Sequence, residues 1–232
     1  MKRPEELTIG LGAGVSVTAL AYEPQGSTAP ASLILAHGAG AGQRSPFMVA
    51  FAQGLIARGL EIVTFNFPYT EQRRRIPDRR PVLELCYRTV IDSVSTRALA
   101  ASRAVFIGGK SMGGRIATHV AASDPSLPVA GLVLLGYPLH PPGRPADRRD
   151  AHLPDVGRAV FFVQGSRDTF GTPEELDSAL GTMSPTPAIH VVDGGDHSFK
   201  ISRGGKSGQE TVYREIQDAI VRWIERTLAS SL

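Results

Sequence analysis

Ala104-Val105-Phe106-Ile107-Gly108-Gly109-Lys110-Ser111-Met112-Gly113-Gly114-Arg115-Ile116-Ala117 is the stretch on which the reading of this chain turns. A short apolar strand over residues 105–107 runs into Gly109-Lys110-Ser111-Met112-Gly113 and straight out into a helix-forming segment. G-x-S-x-G between a strand and a helix is a nucleophile elbow, a turn so tight that the serine takes a strained backbone and small residues flank it. Gly109 and Gly113 supply that room, since a Cβ at either place crowds the adjoining backbone. Ser111 then stands at the strand tip with its hydroxyl exposed above a helix N-terminus. The Gly109-Lys110-Ser111 tripeptide also resembles the end of a phosphate-binding P-loop, but that motif needs a glycine five residues before the Gly-Lys pair. The position is Ala104, and Lys200 fills the same slot before Gly205-Lys206-Ser207, so neither is a P-loop.

Working outward, 232 residues with 42% hydrophobic and 20% charged content describe one globular α/β domain over residues 1–232 with ample core. Met1-Lys2-Arg3-Pro4-Glu5-Glu6 leads into no apolar signal segment, and no apolar run reaches the length of a spanning helix, so no membrane partner is expected. Cys86 is the single cysteine, which excludes an internal disulfide and fits a cytoplasmic location. It lies on the apolar face of a helix and reads as inert core. A net charge of +3 without a basic stripe gives no reason to expect nucleic acid.

There is no internal repeat. Residues 7–9 and 15–22 read as an opening strand pair, after which strand and helix patterns alternate. Strands are expected at residues 32–36, 61–67, 105–107, 129–135, 159–163 and 188–192. Helices are expected after Ser45-Pro46, where Ser45 is placed as N-cap, after Pro81, after Ser111, over residues 173–180, and at the C-terminus with Val212, Ile216, Ala219, Ile220, Trp223 and Leu228 on the apolar face. Strict alternation means a mainly parallel sheet of about seven to eight strands with helices on both faces. Such sheets bind ligands beyond the C-terminal ends of their strands.

Three further segments occupy such strand ends. His37-Gly38-Ala39-Gly40-Ala41-Gly42 follows the strand over 32–36, and the Ala39 N–H with the Met112 N–H could form an oxyanion hole; His37 braces this loop. Gly165-Ser166-Arg167-Asp168 follows the strand over 159–163, where a carboxylate can orient a histidine. Gly194-Gly195-Asp196-His197-Ser198-Phe199 follows the last strand and brings His197 over the same edge. His119 and His190 lie inside regular elements and read as structural, whereas His140 and His152 sit in a Pro-rich excursion over residues 137–157 where either could touch substrate. Asp193 and Asp196 are competing acids. Asp196 adjoins His197, and since successive side chains diverge, it shapes the loop. Ser111, Asp168 and His197 occur in the chain order of one serine-triad fold, and the expected triad is these three.

With these residues in place, the chain resembles the α/β-hydrolase superfamily over nearly its whole length. Gly165-Ser166-Arg167-Asp168 and Gly195-Asp196-His197-Ser198-Phe199 resemble motifs of the compact, lidless dienelactone-hydrolase-like branch. Ser111 stands where dienelactone hydrolases proper carry cysteine, so their lactone specificity is not implied. Phe65-Asn66-Phe67-Pro68-Tyr69 and Leu135-Gly136-Tyr137-Pro138-Leu139-His140-Pro141-Pro142-Gly143 are similar to a subgroup containing the hydrolase-like domain of an NSL histone-acetyltransferase-complex subunit.

The expected chemistry is acyl transfer by a serine hydrolase on small soluble esters or thioesters, with no metal or organic cofactor implied. The alternative is an interaction module that keeps the hydrolase fold without turnover. The excursion over 137–157 is too short and polar for a lid domain, which leaves an open site. Arg73, Arg74, Arg75, Arg79 and Arg80, net +3 against Glu71 and Asp78, and Arg144, Arg148 and Arg149, net +1 against Asp147 and Asp150, lie on two loops beyond strand ends. If both loops rim the site they attract an anionic substrate, joined by Lys110, Lys200 and Arg203; otherwise they are solvated surface with local ion pairs. The named substrate-contact candidates are Lys110, Arg75, Tyr69 and His140.

Overall fold

The computed structural model describes residues 3–25, 29–202 and 205–230, so Arg203 lies outside the described residues. It opens with a hairpin of β1 (Glu5–Gly12) and β2 (Val15–Tyr22) joined by Ala13-Gly14, both at positive φ. Two central residues at positive φ give a turn whose twist suits an antiparallel pair. β1 continues through Gly10 by a register shift between Gly10 and Gly12, so it is longer than its apolar pattern indicates.

From β3 (Ala31–Ala36) the chain alternates. α1 (Pro46–Ile56) leads to β4 (Glu61–Phe65), and α2 (Pro68–Glu71) and α3 (Arg80–Ala100) lead to β5 (Ala104–Lys110). Next come α4 (Met112–Ala122), β6 (Gly131–Leu135), a 3-10 turn over Leu153–Val156 and β7 (Ala159–Gly165). α5 (Pro173–Leu180), β8 (Ala188–Val192) and α6 (Gly205–Ala229) complete it. The strands form one sheet in the order β1-β2-β4-β3-β5-β6-β7-β8, antiparallel across the first two pairings and parallel thereafter. This is the α/β-hydrolase fold.

All residues of β3, β4 and β6 are buried, as strands covered on both faces must be. Leu83, Cys86, Val90, Ile116, Val120, Leu176 and Ala179 of α3, α4 and α5 cover one face. Met48, Phe51, Leu55, Ile216, Ile220 and Trp223 of α1 and α6 cover the other, where the Trp223 ring stacks on Phe161 at 5.5 Å.

Two expected strand boundaries move inward. The strand expected over 61–67 ends at Phe65, because Phe67 becomes the N-cap of the Pro-initiated α2. The strand expected over 129–135 begins at Gly131; Val129 and Ala130 bond instead to Leu127 and Val105 carbonyls in the approach. Ser45 occupies the N-cap of α1 without a side-chain cap bond, and Pro46 at the first turn sets the start. The excursion over 137–157 folds down onto α4 through Leu153 and Val156, both buried, and forms no lid domain.

Candidate active site

β5 passes into α4 at Ser111, whose φ of 52° and ψ of −115° are foreign to helix and strand alike. Such a conformation costs about 1–3 kcal/mol and persists only where its surroundings enforce it. A Cβ on Gly109 or Gly113 would run into the Ala36 carbonyl oxygen, so both glycines let β3 and the start of α4 close on the turn. Met112 is the first helical residue, and its N–H has no acceptor within the helix.

The ends of β7 and β8 bring two more groups to Ser111. His197 Nε2 lies 2.8 Å from Ser111 Oγ, and His197 Nδ1 lies 2.7 Å from Asp168 Oδ2. With a carboxylate on one side, the neutral imidazole carries its proton on Nδ1 and presents an unprotonated Nε2 to the serine hydroxyl, which donates to it. Asp168 is buried and fully engaged: Oδ1 accepts the Phe170 N–H at 2.8 Å and Oδ2 accepts Gln164 Nε2 at 3.0 Å besides His197. Gln164, fully buried at the end of β7, also donates to Gly171 O and accepts the Tyr137 N–H. The Phe170 ring stacks on His197 with centroids 4.2 Å apart. Neither Gln164 nor Phe170 stands out in the sequence, although a glutamine closing an apolar strand four residues before an acid is a usable signal.

His37 is buried with Nδ1 2.9 Å from Gly38 O, while Nε2 accepts the Phe67 N–H at 3.2 Å. Burial lowers its proton affinity, so a neutral imidazole ties the loop after β3 to the start of α2. Ala39, on that loop, is exposed and faces the same cavity as Ser111 and Met112. Asp196 caps its own loop by accepting the Ser198 and Lys200 N–H groups and makes no bond to His197.

The cavity, of about 740 Å³, runs across the C-terminal edge of the sheet with Ser111 and His197 between its ends. Phe47, Met48 and Tyr213 line the α1–α6 end; Leu83, Arg80, Arg115, Ile116 and Arg149 line the α3–α4 end. Lys110 also borders it. Its ammonium is buried without a hydrogen-bond partner, 5.8 Å from the Phe47 ring centroid and 5.9 Å from that of Phe199. Burial pulls Lys110 down to about 8 against the opposing pull of Asp168 and Asp196.

The other three substrate-contact candidates stand apart from this cavity. Tyr69 is buried beneath the loop, its ring against His37 and Phe67. His140 is buried between Pro141 O, 2.9 Å from Nδ1, and Glu175, 3.3 Å from Nε2. Arg75, with Arg73 and Arg74, lines a separate groove beyond Gly40–Gly42. Four of the eight loop arginines are paired locally: Arg74 with Asp78, Arg80 with Glu84, Arg144 with Asp147 and Arg148 with Asp150. His152 is stacked on His119 at 3.6 Å outside the cavity, and burial holds both well below the usual imidazole range, to about 4 and about 3. Cys86 is buried, and burial pushes its thiol up to about 12, which leaves no thiolate for chemistry. Among the described residues no His, Cys, Asp and Glu side chains converge as a metal-ligand set, and no helix is long and apolar enough to cross a membrane.

Residues 29–225 match a family model described as alpha/beta hydrolase domain. Among solved structures, an alpha-beta serine hydrolase homologue from Coxiella burnetii superposes with a TM-score of 0.73 at 20% identity, covering 94% of this chain and 97% of that one. A dienelactone hydrolase from Anabaena variabilis gives 0.71 at 19% identity, with 94% and 97% covered. A Xanthomonas campestris protein described as an a/b serine hydrolase without lid gives 0.72 at 18% identity, with 96% of each chain covered. At these identities the likeness is one of fold.

Proposed function

The chain belongs to the alpha/beta hydrolase domain family, and from that premise we propose that it is a serine hydrolase of the lidless, dienelactone-hydrolase-like kind, cleaving small soluble esters or thioesters. The observation that carries this reading is the unbroken relay Ser111 Oγ–His197 Nε2 at 2.8 Å and His197 Nδ1–Asp168 Oδ2 at 2.7 Å, opening onto a cavity.

In the proposed reaction His197 takes the hydroxyl proton as Ser111 Oγ attacks the carbonyl carbon. The buried Asp168 holds the tautomer and stabilises the imidazolium that forms. Negative charge developing on the carbonyl oxygen is met by the Met112 and Ala39 N–H groups and by the positive end of α4. The imidazolium returns its proton to the leaving oxygen or sulfur, which departs and leaves an acyl ester on Ser111. Water, deprotonated by His197, then attacks that ester, and the imidazolium returns the proton to Ser111 Oγ as the acid is released. The excursion over 137–157 packs on α4 and contributes Pro138 and Arg149 to the cavity wall without building a lid domain, which favours small soluble substrates over long acyl chains.

The segment over residues 65–69, similar to the NSL-subunit subgroup, contributes Phe67 and Tyr69 to the packing around His37 and supports the loop instead of selecting substrate. The test is labelling with a fluorophosphonate probe, followed by a panel of short-chain esters, thioesters and amides. Labelling that is lost in Ser111→Ala supports a hydrolase. Well-folded protein that is not labelled points to a hydrolase-fold interaction module.

A further inference from the structure

The α3–α4 end of the cavity carries a charge the protein leaves unanswered. Arg115 lies on α4 four residues after Ser111, and its N–H donates to the Ser111 carbonyl at 3.0 Å. Residues so spaced share a helix face, with Cβ atoms roughly 5–6 Å apart. The Arg115 side chain, half-buried, therefore lines the cavity one helical turn from the nucleophile. Its Nε is buried without a hydrogen-bond partner, and among the described residues its guanidinium pairs with no carboxylate.

Two more guanidiniums border the same end. Arg149 comes from the excursion after β6, where its backbone bonds to Leu139 O and the Tyr137 hydroxyl, and its guanidinium likewise has no hydrogen-bond or ion-pair partner among the described residues. Arg80 comes from the start of α3 and is held by Glu84 at 3.2 Å. Burial first, then the repulsion of Arg149 and of Arg80, lowers the proton affinity of Arg115. Asp78, the acid on the cavity wall, is already occupied by Arg74 and by the Tyr69 N–H at 2.9 Å. Arg115 and Arg149 thus converge on a half-dry space where, among the described residues, neither guanidinium is paired with a carboxylate; Glu84, which pulls on Arg115, is itself held by Arg80. Two like charges held together this way are unfavourable until an anion enters between them. The opposite end, lined by Phe47, Met48 and Tyr213, offers apolar and aromatic surface.

We propose that the cavity is built for an ester or thioester carrying a carboxylate, which the Arg115 guanidinium grips with Arg149 beside it while the apolar remainder of the substrate lies against Phe47, Met48 and Tyr213. This rests on the serine-hydrolase reading above. The planar fork of Arg115 matches a carboxylate edge-on. The one-turn offset from Ser111 places that carboxylate roughly two to four carbons from the scissile carbonyl. Arg115 is in this account a specificity-determining residue, and Arg80, already paired, adds field more than contact.

The experiment compares matched aryl esters in two arms. One puts the carboxylate on the acyl side, as aryl hemisuccinate and hemiglutarate against aryl butyrate and valerate. The other puts it on the leaving side, as acetylated hydroxybenzoate against phenyl acetate. In one arm the wild type is expected to favour the carboxylate ester by roughly tenfold or more in kcat/KM, a preference that shrinks as salt rises. Arg115→Gln is expected to bring that ratio to about one, chiefly through KM, and Arg115→Lys to restore part of it. A ratio near one in both arms for the wild type, or a ratio that Arg115→Gln leaves intact, overturns the proposal. Calorimetric titration of Ser111→Ala with the hemiglutarate ester and, separately, with acetylated hydroxybenzoate distinguishes failure of the anion site from failure of the hydrolase reading. Binding that is lost in the Ser111→Ala/Arg115→Gln double variant supports the anion site even if the protein turns nothing over. Absence of binding of both esters to Ser111→Ala overturns it even if neutral esters are hydrolysed.

Discussion

The buried acid behind Ser111 and the two arginines of the cavity wall differ in how completely the protein satisfies them. Asp168 receives the Gln164 amide, the Phe170 N–H and the His197 ring, and the relay to Ser111 needs no outside partner. Arg115 and Arg149, at the α3–α4 end of the same trough, have guanidiniums paired with no carboxylate among the described residues. A network closed on itself is pre-arranged machinery, held in one geometry by its own hydrogen bonds. An unanswered cluster of like charge is half of an interaction whose other half is a ligand. The first governs whether chemistry occurs and the second governs on what.

Breaking the closed side should have the larger effects. Asp168→Asn keeps the shape of the acid but can donate its amide N–H to His197 Nδ1 where the wild type offers only an acceptor, so His197 adopts the wrong tautomer. A fall in kcat of about 10⁴ is expected, by analogy with the corresponding change in a serine protease, and steady-state kinetics on a neutral ester checks it. Gln164→Leu removes the amide that orients Asp168 while leaving the relay residues in place. A fall in kcat of roughly 10- to 100-fold with little change in KM is expected, and a proportionate rise in KM instead would contradict a positioning role. Gln164→Glu should not rescue it, because a second carboxylate would then face Asp168.

Lys110 lies between the two regimes, a buried ammonium whose neighbours are two aromatic faces. In the folded protein it binds its proton with an affinity near 8, against an ordinary value of 10.5. Below pH 8 the lysine is charged in both folded and unfolded chains, and folding bears the full cost of burying it. Between pH 8 and 10.5 the unfolded chain holds more protons than the folded one, so this group's contribution to stability improves as pH rises. Lys110→Met should therefore stabilise the protein at pH 7, by up to about 3 kcal/mol at about 1.4 kcal/mol per tenfold change in proton affinity. That gain should shrink as pH is raised through 8 towards 10. Urea denaturation of both proteins at pH 7 and pH 9.5 reads it directly, and a destabilised variant at pH 7 would contradict it.

The same contrast explains what the sequence makes legible. Ser111, Asp168 and His197 each adjoin the end of an apolar strand, so strict alternation alone assigns them to one edge of the sheet. Gly109 and Gly113 flag the elbow because nothing larger fits against Ala36. The charged end is not legible in that way. Whether a loop arginine faces the cavity or a neighbouring acid depends on ion pairs such as Arg74–Asp78 and Arg144–Asp147, which close only in three dimensions. Composition therefore points to both arginine loops with Arg75 as the contact, whereas of those loop arginines Arg80 and Arg149 line the cavity, joined by Arg115 of α4. Arg115 carried a signal in its four-residue offset from Ser111. Tyr69 and His140 follow strands as active-site residues do, but neighbouring loops cover them, and burial of that kind leaves no periodic trace.

The account stands most directly on the nucleophile. Wild-type protein treated with a fluorophosphonate probe and digested should carry the adduct on the peptide containing Ser111, and Ser111→Ala of equal thermal stability should carry none. An adduct elsewhere, or no adduct on folded wild-type protein, would contradict it.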